Sequence, residues 1–234
     1  MQTGFLDRTV TVAGLAYPYQ VYVPRNYDPD RAWPAVLFLH GAGERGEDGL
    51  LQTEVGIGPA IRCYPTRIPA IVVMPQAPED TRWSVAPGDA ALAALDKTES
   101  EFAVDPDRIY LTGLSMGGHG SWYLGYHHTD RFAALLVICG FVGDRPGRPT
   151  FVPSGKGTPY QRMAARVGKL PIWIVHGEAD SLVPVSESRS MADALRAAGA
   201  DVHYTELPGT DHDSWTATYA SEAIMQWLFA QRRR

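Results

Sequence analysis

The chain has 234 residues, of which 45% are hydrophobic and 20% are charged, a balance that fits a globular protein rather than a disordered one. Its 21 basic and 26 acidic residues give a net charge of −5, which argues against nucleic acid as a partner, because nucleic-acid-binding proteins usually carry a basic stripe. No apolar run reaches the roughly 20 residues that a membrane-spanning helix needs. The N-terminus shows no signal-peptide pattern, so we expect a cytoplasmic protein that binds neither nucleic acid nor a membrane.

The first elements in the chain form a predicted β-hairpin. Apolar and polar residues alternate over residues 8–13 and 15–23, and Gly14 lies between the two runs. Period-two alternation is typical of strands with one solvated face, and a glycine favours the tight turn that joins them.

Short apolar runs alternate with helical patterns along the rest of the chain. Continuous apolar runs bounded by Gly or Pro are typical of parallel strands that are covered on both faces. The predicted strands after the hairpin are 35–39, 70–74, 109–112, 134–139, 171–175 and 202–207. The predicted helices are 88–103, 116–128, 158–167, 185–198 and 216–231. Strands spaced by helices predict one α/β domain over residues 1–234, with a mostly parallel sheet of about eight strands and helices on both faces.

Two irregular stretches interrupt this alternation. Residues 41–58 are rich in Gly and Glu, and residues 141–158 are rich in Gly, Pro and Arg. Long loops beside such a sheet are usually functional, but both stretches are too short to form a large cap domain. We therefore expect an open pocket that is suited to small or flat substrates.

The most informative motif is Gly113-Leu114-Ser115-Met116-Gly117, which follows one predicted strand and opens a helix. This is the nucleophile-elbow pattern, in which a tight turn lifts the serine hydroxyl above the sheet. Side chains at the two glycines would collide with the neighbouring strands or helix. Ser115 is therefore the predicted nucleophile, and the Met116 N–H points to where an oxyanion forms.

A serine nucleophile needs a general base, and His212 is the histidine in the appropriate place. It lies in the loop between the last predicted strand and the last helix. In chains with this elbow the serine comes first, the acid second and the histidine last, so the base is expected in this loop. The other downstream histidines fall within or at the ends of predicted helices and strands. They are His119, His127, His128, His176 and His203.

The acid that orients the base is predicted to be Asp180, which closely follows the strand 171–175. An acid at this position holds the imidazole in the correct tautomer and stabilises the imidazolium. Asp211 and Asp213 remain rivals because they flank His212, and Glu178 is a weaker one.

The remaining site residues are predicted from loops that follow strands. His40-Gly41-Ala42-Gly43 follows the strand 35–39, so Ala42 N–H is the predicted second oxyanion donor and His40 braces the turn. Trp83 and Trp215 lie in loops at the same edge of the sheet and are candidates to bind an acyl chain or aromatic ring. Cys139 is predicted to be a buried free thiol, and no Cys/His spacing suggests a metal, so no metal or cofactor is expected.

Five segments together resemble the α/β-hydrolase superfamily. LHGAGERGED, PQAPEDTRW, GLSMGGHGSW, HGEAD and DHDSW are similar to segments of small bacterial esterases grouped with predicted peptidases, phospholipase/carboxylesterases, polyhydroxybutyrate-depolymerase-like proteins and feruloyl esterases. The resemblance implies an α/β-hydrolase fold, a triad of Ser115, Asp180 and His212, and oxyanion donors at Ala42 and Met116.

The sequence therefore predicts a serine carboxylesterase that acts on short-chain acyl or hydroxycinnamoyl (feruloyl-type) esters through an acyl-enzyme at Ser115. A thioesterase, a lactone hydrolase or a small peptidase on the same triad remains an alternative. Hydrolases of the dienelactone type typically have cysteine in place of this serine, and a peptidase commonly has a second domain. A binding protein with a dead site is disfavoured because all three triad residues are present. The oligomeric state is left open.

Overall fold

The structure is a computed structural model that describes residues 2–144 and 149–233. Its strands form one sheet, built mostly from the short apolar runs. They are β1 (Gly4–Val12), β2 (Leu15–Val23), β3 (Trp33–Leu39), β4 (Ile71–Pro75), β5 (Val104–Leu114), β6 (Ala134–Ile138), β7 (Ile172–Gly177) and β8 (Val202–Leu207).

Seven α-helices occur in the described residues. They are α1 (Ile57–Cys63), α2 (Ala86–Glu101), α3 (Met116–His127), α4 (Pro159–Val167), α5 (Ser186–Ala197), α6 (Trp215–Ala220) and α7 (Glu222–Ala230). No helix in the described part of the chain is long and apolar enough to cross a membrane.

The strand order is β1-β2-β4-β3-β5-β6-β7-β8. β1 pairs with β2 and β2 with β4 in antiparallel fashion, and the other neighbours are parallel. The predicted hairpin and the mostly parallel eight-stranded sheet are confirmed. This is the α/β-hydrolase fold, and residues 2–144 and 149–233 contain no large cap domain.

The sheet is covered on both faces. Along β3, Ala35, Leu37 and Leu39 pack in one core, whereas Val36 and Phe38 pack in the other. The alternation of side chains along a strand explains this division. Helices α2 to α5 contribute to the first core, and α1, α6 and α7 contribute to the second.

Two predicted features differ from the structure, and a third lies partly outside the described residues. The irregular stretch 41–58 contains the start of α1, which begins at Ile57. The predicted helix 216–231 is divided at Ser221, whose extended backbone ends α6 and whose hydroxyl accepts a hydrogen bond from the Ile224 N–H at the start of α7. The other irregular stretch, 141–158, includes residues 145–148, which lie outside the described residues.

Candidate active site

Ser115 lies at the sharp turn between β5 and α3. Its backbone has φ 52° and ψ −112°, a left-handed conformation that is uncommon for a residue with a side chain. Backbone strain of this kind persists where the surrounding structure fixes it, and it is concentrated at functional sites. The turn places the Ser115 side chain at the carboxyl edge of the sheet.

The glycines of the elbow are required by close backbone approach. A Cβ at Gly117 would lie 1.8 Å from the Leu39 carbonyl oxygen, and one at Gly118 would lie 2.6 Å from that of Ile138. A Cβ at Gly113 would lie 2.4 Å from the Gly117 carbonyl oxygen. Any larger residue would therefore push α3 away from the sheet and displace Ser115.

His212 lies between Ser115 and Asp180. Its Nε2 is 2.9 Å from Ser115 Oγ, and its Nδ1 is 2.7 Å from Asp180 Oδ2. The carboxylate can only accept, so Nδ1 carries the proton and Nε2 is free to accept the serine proton. The Asp180 side chain is fully buried, which keeps water away from this hydrogen bond. The structure thus brings together the three residues that the sequence singles out.

The rival acids are engaged elsewhere. Asp211 Oδ1 accepts hydrogen bonds from the backbone N–H and the hydroxyl of Ser181. Asp213 accepts two hydrogen bonds from Thr216 at the start of α6, and Glu178 accepts one from the Gly209 N–H. The described contacts therefore leave Asp180 as the carboxylate on His212 Nδ1.

The loop after β3 is braced by His40. Nε2 of His40 accepts a hydrogen bond from the Ala77 N–H at 3.0 Å, so its Nδ1 carries the proton and donates to the Gly41 carbonyl oxygen at 2.6 Å. Burial lowers the pKa of His40 to about 4, so the ring is neutral at neutral pH. Arg45 Nε also donates to the Ala42 carbonyl oxygen, at 2.9 Å, which ties down the outer part of the loop.

The expected oxyanion donors lie beside the nucleophile. Ala42 and Met116 both line the cleft that contains Ser115 and His212. Met116 is the first residue of α3, so its N–H has no partner within the helix and carries the positive potential of the helix N-terminus.

The chain matches a known protein family over a segment that includes most of the candidate site. The family model for the dienelactone hydrolase family matches residues 67–223. The chain belongs to the dienelactone hydrolase family. The matched segment contains the elbow, Asp180 and His212, whereas the loop after β3 lies before it.

Individual proteins also resemble this chain, with sequence identities between 19% and 34%. A solved thermostable esterase is 34% identical with a TM-score of 0.83, and the match covers 98% of this chain and 63% of that one. A ferulic acid esterase from Anaeromyces mucronatus is 19% identical with a TM-score of 0.69, covering 95% of this chain and 89% of its own, which shows the shared fold. Acyl-protein thioesterase 1 from Gibberella zeae is 28% identical over 120 residues, or 51% of this chain and 47% of the relative.

This chain spans only part of the length of the first relatives it matches. It spans 22% of an uncharacterized secreted protein from Arthroderma benhamiae, to which it is 26% identical over 206 residues covering 80% of this chain. It likewise spans less than two thirds of the thermostable esterase.

Trp83 does not line the cleft, contrary to prediction. The side chain is 1% exposed, and its Nε1–H donates a hydrogen bond to the His40 carbonyl oxygen at 2.9 Å. A buried indole needs a partner for its N–H, and the end of β3 supplies one. Gly120 of α3 makes room for the ring, because a Cβ there would lie 2.3 Å from the Trp83 Cβ. Trp83 thus supports the loop after β3 from beneath.

Trp215 lies against His212, outside the set of residues that line the cleft. Its ring meets the imidazole edge to face, with 5.3 Å between the ring centroids. Trp215 begins α6 and is half-buried, so it restricts the movement of His212. The structure therefore places this residue against the predicted base and outside the described cleft lining.

The cleft at this family member's candidate site has a volume of about 660 Å³. Apolar side chains from the loops after β6 and β7 form part of its wall, and Leu182 among them is 64% exposed. The lining residues are Ala42, Arg45, Asp80, Arg82, Ser115, Met116, Phe141, Leu182, Val183 and His212. Phe141 begins the irregular stretch that follows the predicted strand 134–139, whereas Leu182 and Val183 lie in the loop after Asp180 and carry no motif that marks them in the sequence.

Cys139 lies beneath the site as a buried free thiol. A ligand atom of Cys139 is within 4.8 Å of ligand atoms of both Asp180 and His212, a spacing that a metal ion could use. Burial raises the pKa of the Cys139 thiol to about 12, so the thiol is protonated, and the other two groups hydrogen-bond each other. The cluster therefore fits the Ser115–His212–Asp180 arrangement better than a metal centre.

Proposed function

We propose that this domain is a serine carboxylesterase that hydrolyses short-chain acyl or hydroxycinnamoyl esters. The observation that carries the proposal is the position of His212, whose ring nitrogens lie 2.9 Å from Ser115 Oγ and 2.7 Å from Asp180 Oδ2. Membership of the dienelactone hydrolase family and the similarity to a thermostable esterase support hydrolysis of esters.

The mechanism follows from the hydrogen bonds. Ser115 Oγ attacks the ester carbonyl carbon while His212 Nε2 takes its proton, and the buried Asp180 stabilises the imidazolium. The Ala42 and Met116 N–H groups stabilise the tetrahedral oxyanion. The C–O bond to the leaving group then breaks, and His212 returns the proton to the departing alcohol. Water, deprotonated by His212, then attacks the acyl-enzyme. The bond from the acyl carbon to Ser115 Oγ breaks, and His212 returns the proton to Ser115 Oγ as the acid is released.

The shape of the cleft supports the substrate class. Phe141, Leu182 and Val183 offer an apolar wall to a short acyl chain or a flat aromatic acyl group. Arg45 and Arg82 lie at the same opening, so the rest of the cleft is polar. This mixture favours small esters with a polar end over long lipid chains.

A hydrolysis panel tests the proposal. We expect p-nitrophenyl acetate and methyl ferulate to be hydrolysed with a higher kcat/KM than p-nitrophenyl octanoate. Ser115→Ala is expected to lose more than about a thousandfold in kcat, since only the oxyanion donors and binding remain. Ser100→Ala, at an exposed serine on α2, is the matched control and should retain full activity. Activity that survives Ser115→Ala would contradict the mechanism.

A thioesterase is the second candidate, supported by the similarity to the Gibberella zeae acyl-protein thioesterase. The same panel should include the thioester counterpart of the acetate ester, a simple lactone and a peptide p-nitroanilide. A kcat/KM for the thioester that exceeds the oxygen ester by more than tenfold would replace the carboxylesterase proposal. Preference for the lactone or the anilide would do so in the same way.

A further inference from the structure

His176 is a second histidine that contacts the candidate acid. It is the penultimate residue of β7 and is fully buried. Its Nε2 lies 3.1 Å from Asp180 Oδ2 and 3.0 Å from the Val183 carbonyl oxygen. Its Nδ1 lies 2.7 Å from Ser188 Oγ, on the first turn of α5. The mechanism described above does not use this residue.

The partners of His176 fix its tautomer. The Val183 carbonyl and the Asp180 carboxylate can only accept hydrogen bonds, so Nε2 must carry a proton and donate. Burial lowers the pKa of His176, so the ring is neutral and Nδ1 has no proton. The Ser188 hydroxyl therefore donates to Nδ1. The chain of donors runs from Ser188 through His176 to Asp180.

Each oxygen of the Asp180 carboxylate accepts two hydrogen bonds. Its Oδ1 accepts from the Leu182 N–H at 2.9 Å and the Val183 N–H at 2.8 Å. Its Oδ2 accepts from His212 Nδ1 and from His176 Nε2. A buried carboxylate with four donors has its rotation restricted, because turning it would leave several of them unpaired.

We propose that His176 is a positioning residue that, held by Ser188, fixes the Asp180 carboxylate in the orientation that receives His212. The inference rests on the proposed function, because it assigns His176 to the same triad. His176 does not touch Ser115 in the described contacts. Apart from Asp180 and Ser188, it bonds only the backbone carbonyl of Val183, whose side chain lines the cleft, so its route to the reacting atoms runs through Asp180.

The proposal predicts a geometric effect on His212. Without the His176 donor, the Asp180 carboxylate is freer to turn, and its hydrogen bond to His212 Nδ1 is held less well. The other groups that face His212 are left unchanged by a substitution at His176. They are Ser115 on the elbow, Cys139 after β6, Asp211 and Trp215 on either side of its own loop position, and Arg45, Asp80 and Arg82 across the cleft.

The test measures how fast a fluorophosphonate labels Ser115. This readout requires an activated serine but no particular substrate. For His176→Phe we expect labelling to slow on the order of tenfold, since small errors in catalytic geometry have large effects on rate. His176→Gln keeps a donor near the Nε2 position and should stay within about twofold of the wild type.

Two further variants complete the design. Ser188→Ala removes only the hydroxyl that selects the tautomer, and we expect labelling to slow about threefold. If His176→Phe does not fold, the labelling rate of Ser188→Ala tests the proposal in its place. His203→Phe changes an exposed histidine on β8, the neighbouring strand, and should label like the wild type.

The possible outcomes are distinguishable. The proposal is overturned if folded His176→Phe and Ser188→Ala both label at the wild-type rate, even if their Tm values fall. It is also overturned if His176→Gln is as slow as His176→Phe. Labelling of wild-type Ser115 without hydrolysis of any ester would contradict the proposed function but leave the positioning role measurable. If the wild-type Ser115 is not labelled at all, both proposals are wrong.

Discussion

His40 shows how one buried side chain holds the loop after β3. Its ring nitrogens bond the Gly41 carbonyl and the Ala77 N–H, and its own carbonyl accepts the Trp83 indole N–H. The ring is fully buried, and burial lowers its pKa to about 4 from 6.5. The neutral ring is therefore part of the folded structure, and protonation opposes that structure.

The pKa of His40 predicts a loss of stability in acid. Between about pH 6.5 and pH 4 the unfolded chain binds a proton at this position and the folded chain does not, so stability falls as pH falls through this window. From pH 7 to pH 5 the contribution is about 2 kcal/mol. We expect urea unfolding of the wild type to show this loss and His40→Gln to lack that part of it.

The comparison of the two proteins is the decisive measurement. Other titrating groups, including His176, contribute equally to both, so the difference between their pH dependences isolates His40. Equal losses of unfolding free energy from pH 7 to pH 5 in the wild type and His40→Gln would contradict the assignment.

Single residues differ in how well the sequence predicts their positions. Ser115, Asp180 and His212 follow strands, and strand ends in a parallel sheet converge at one edge, so their proximity could be predicted. Trp83 also follows a strand, yet its side chain turns inward. Gly120 leaves space for the ring there, and the His40 carbonyl accepts a hydrogen bond from the indole N–H. Inward or outward orientation of a loop side chain depends on such distant partners, which no local pattern reveals.

At the scale of elements, the first turn of α5 supports the site twice. Ser188 holds His176, and the preceding residue, Glu187, holds the chain after β6. Glu187 Oε2 accepts hydrogen bonds from the Val142 and Gly143 N–H groups and from the Tyr160 hydroxyl, each at 3.0 Å. Phe141, next to this anchored segment, lines the cleft. A buried carboxylate thus fixes one wall of the substrate site.

Glu187→Gln is expected to loosen this wall. Hydrogen bonds to a charged acceptor are stronger than those to a neutral one, so we expect a loss of about 2 kcal/mol in the free energy of unfolding. Because Phe141 contacts substrate in the proposed function, KM for p-nitrophenyl esters should rise more than kcat falls.

Tyr160→Phe is the matched control for Glu187→Gln. It removes one of the three donors and leaves the carboxylate, so its effects on stability and KM should have the same direction and be smaller. An effect of Tyr160→Phe that equals or exceeds that of Glu187→Gln would show that the carboxylate is not the anchor.

Elements with a strong local pattern could be predicted, and those that depend on context could not. The apolar runs of β3, β4, β6 and β7 stand out because both faces of the sheet are buried. Helix α1 is short and begins after Gly56, in a stretch whose composition indicates a loop. The break at Ser221 lies within a pattern that continues across it, and a capping interaction decides the boundary.

At the scale of the whole molecule, two cores lie on opposite faces of one sheet. The candidate triad of Ser115, Asp180 and His212 lies at the sheet edge above both, so its geometry depends on the entire fold. Residues near the C-terminus also bind to the sheet. Arg232 and Arg233, in a basic tail whose last residue lies outside the described part, pair with Asp105 and Asp107 at the start of β5.

The two cysteines differ in exposure, so the reactivity of their thiols can be used to follow unfolding of the sheet. Cys63 at the end of α1 is exposed, whereas Cys139 is fully buried beneath the triad, and burial raises the pKa of its thiol to about 12. Only a thiolate reacts readily with a disulfide reagent, so Cys139 is protected by both exclusion and protonation. Its exposure requires separation of β6 from its neighbours, which amounts to unfolding of the central sheet.

We therefore expect the native protein to react rapidly with one equivalent of a thiol reagent at pH 8, and the urea-unfolded protein with two. In Cys63→Ser, the remaining thiol should become reactive over the same urea range in which tryptophan fluorescence reports unfolding, since one cooperative transition exposes both. Reaction of Cys139 well below that range would mean that the sheet beneath the triad opens locally, because a local opening needs less free energy than global unfolding. Two fast thiols in the native protein would contradict the burial of Cys139 outright.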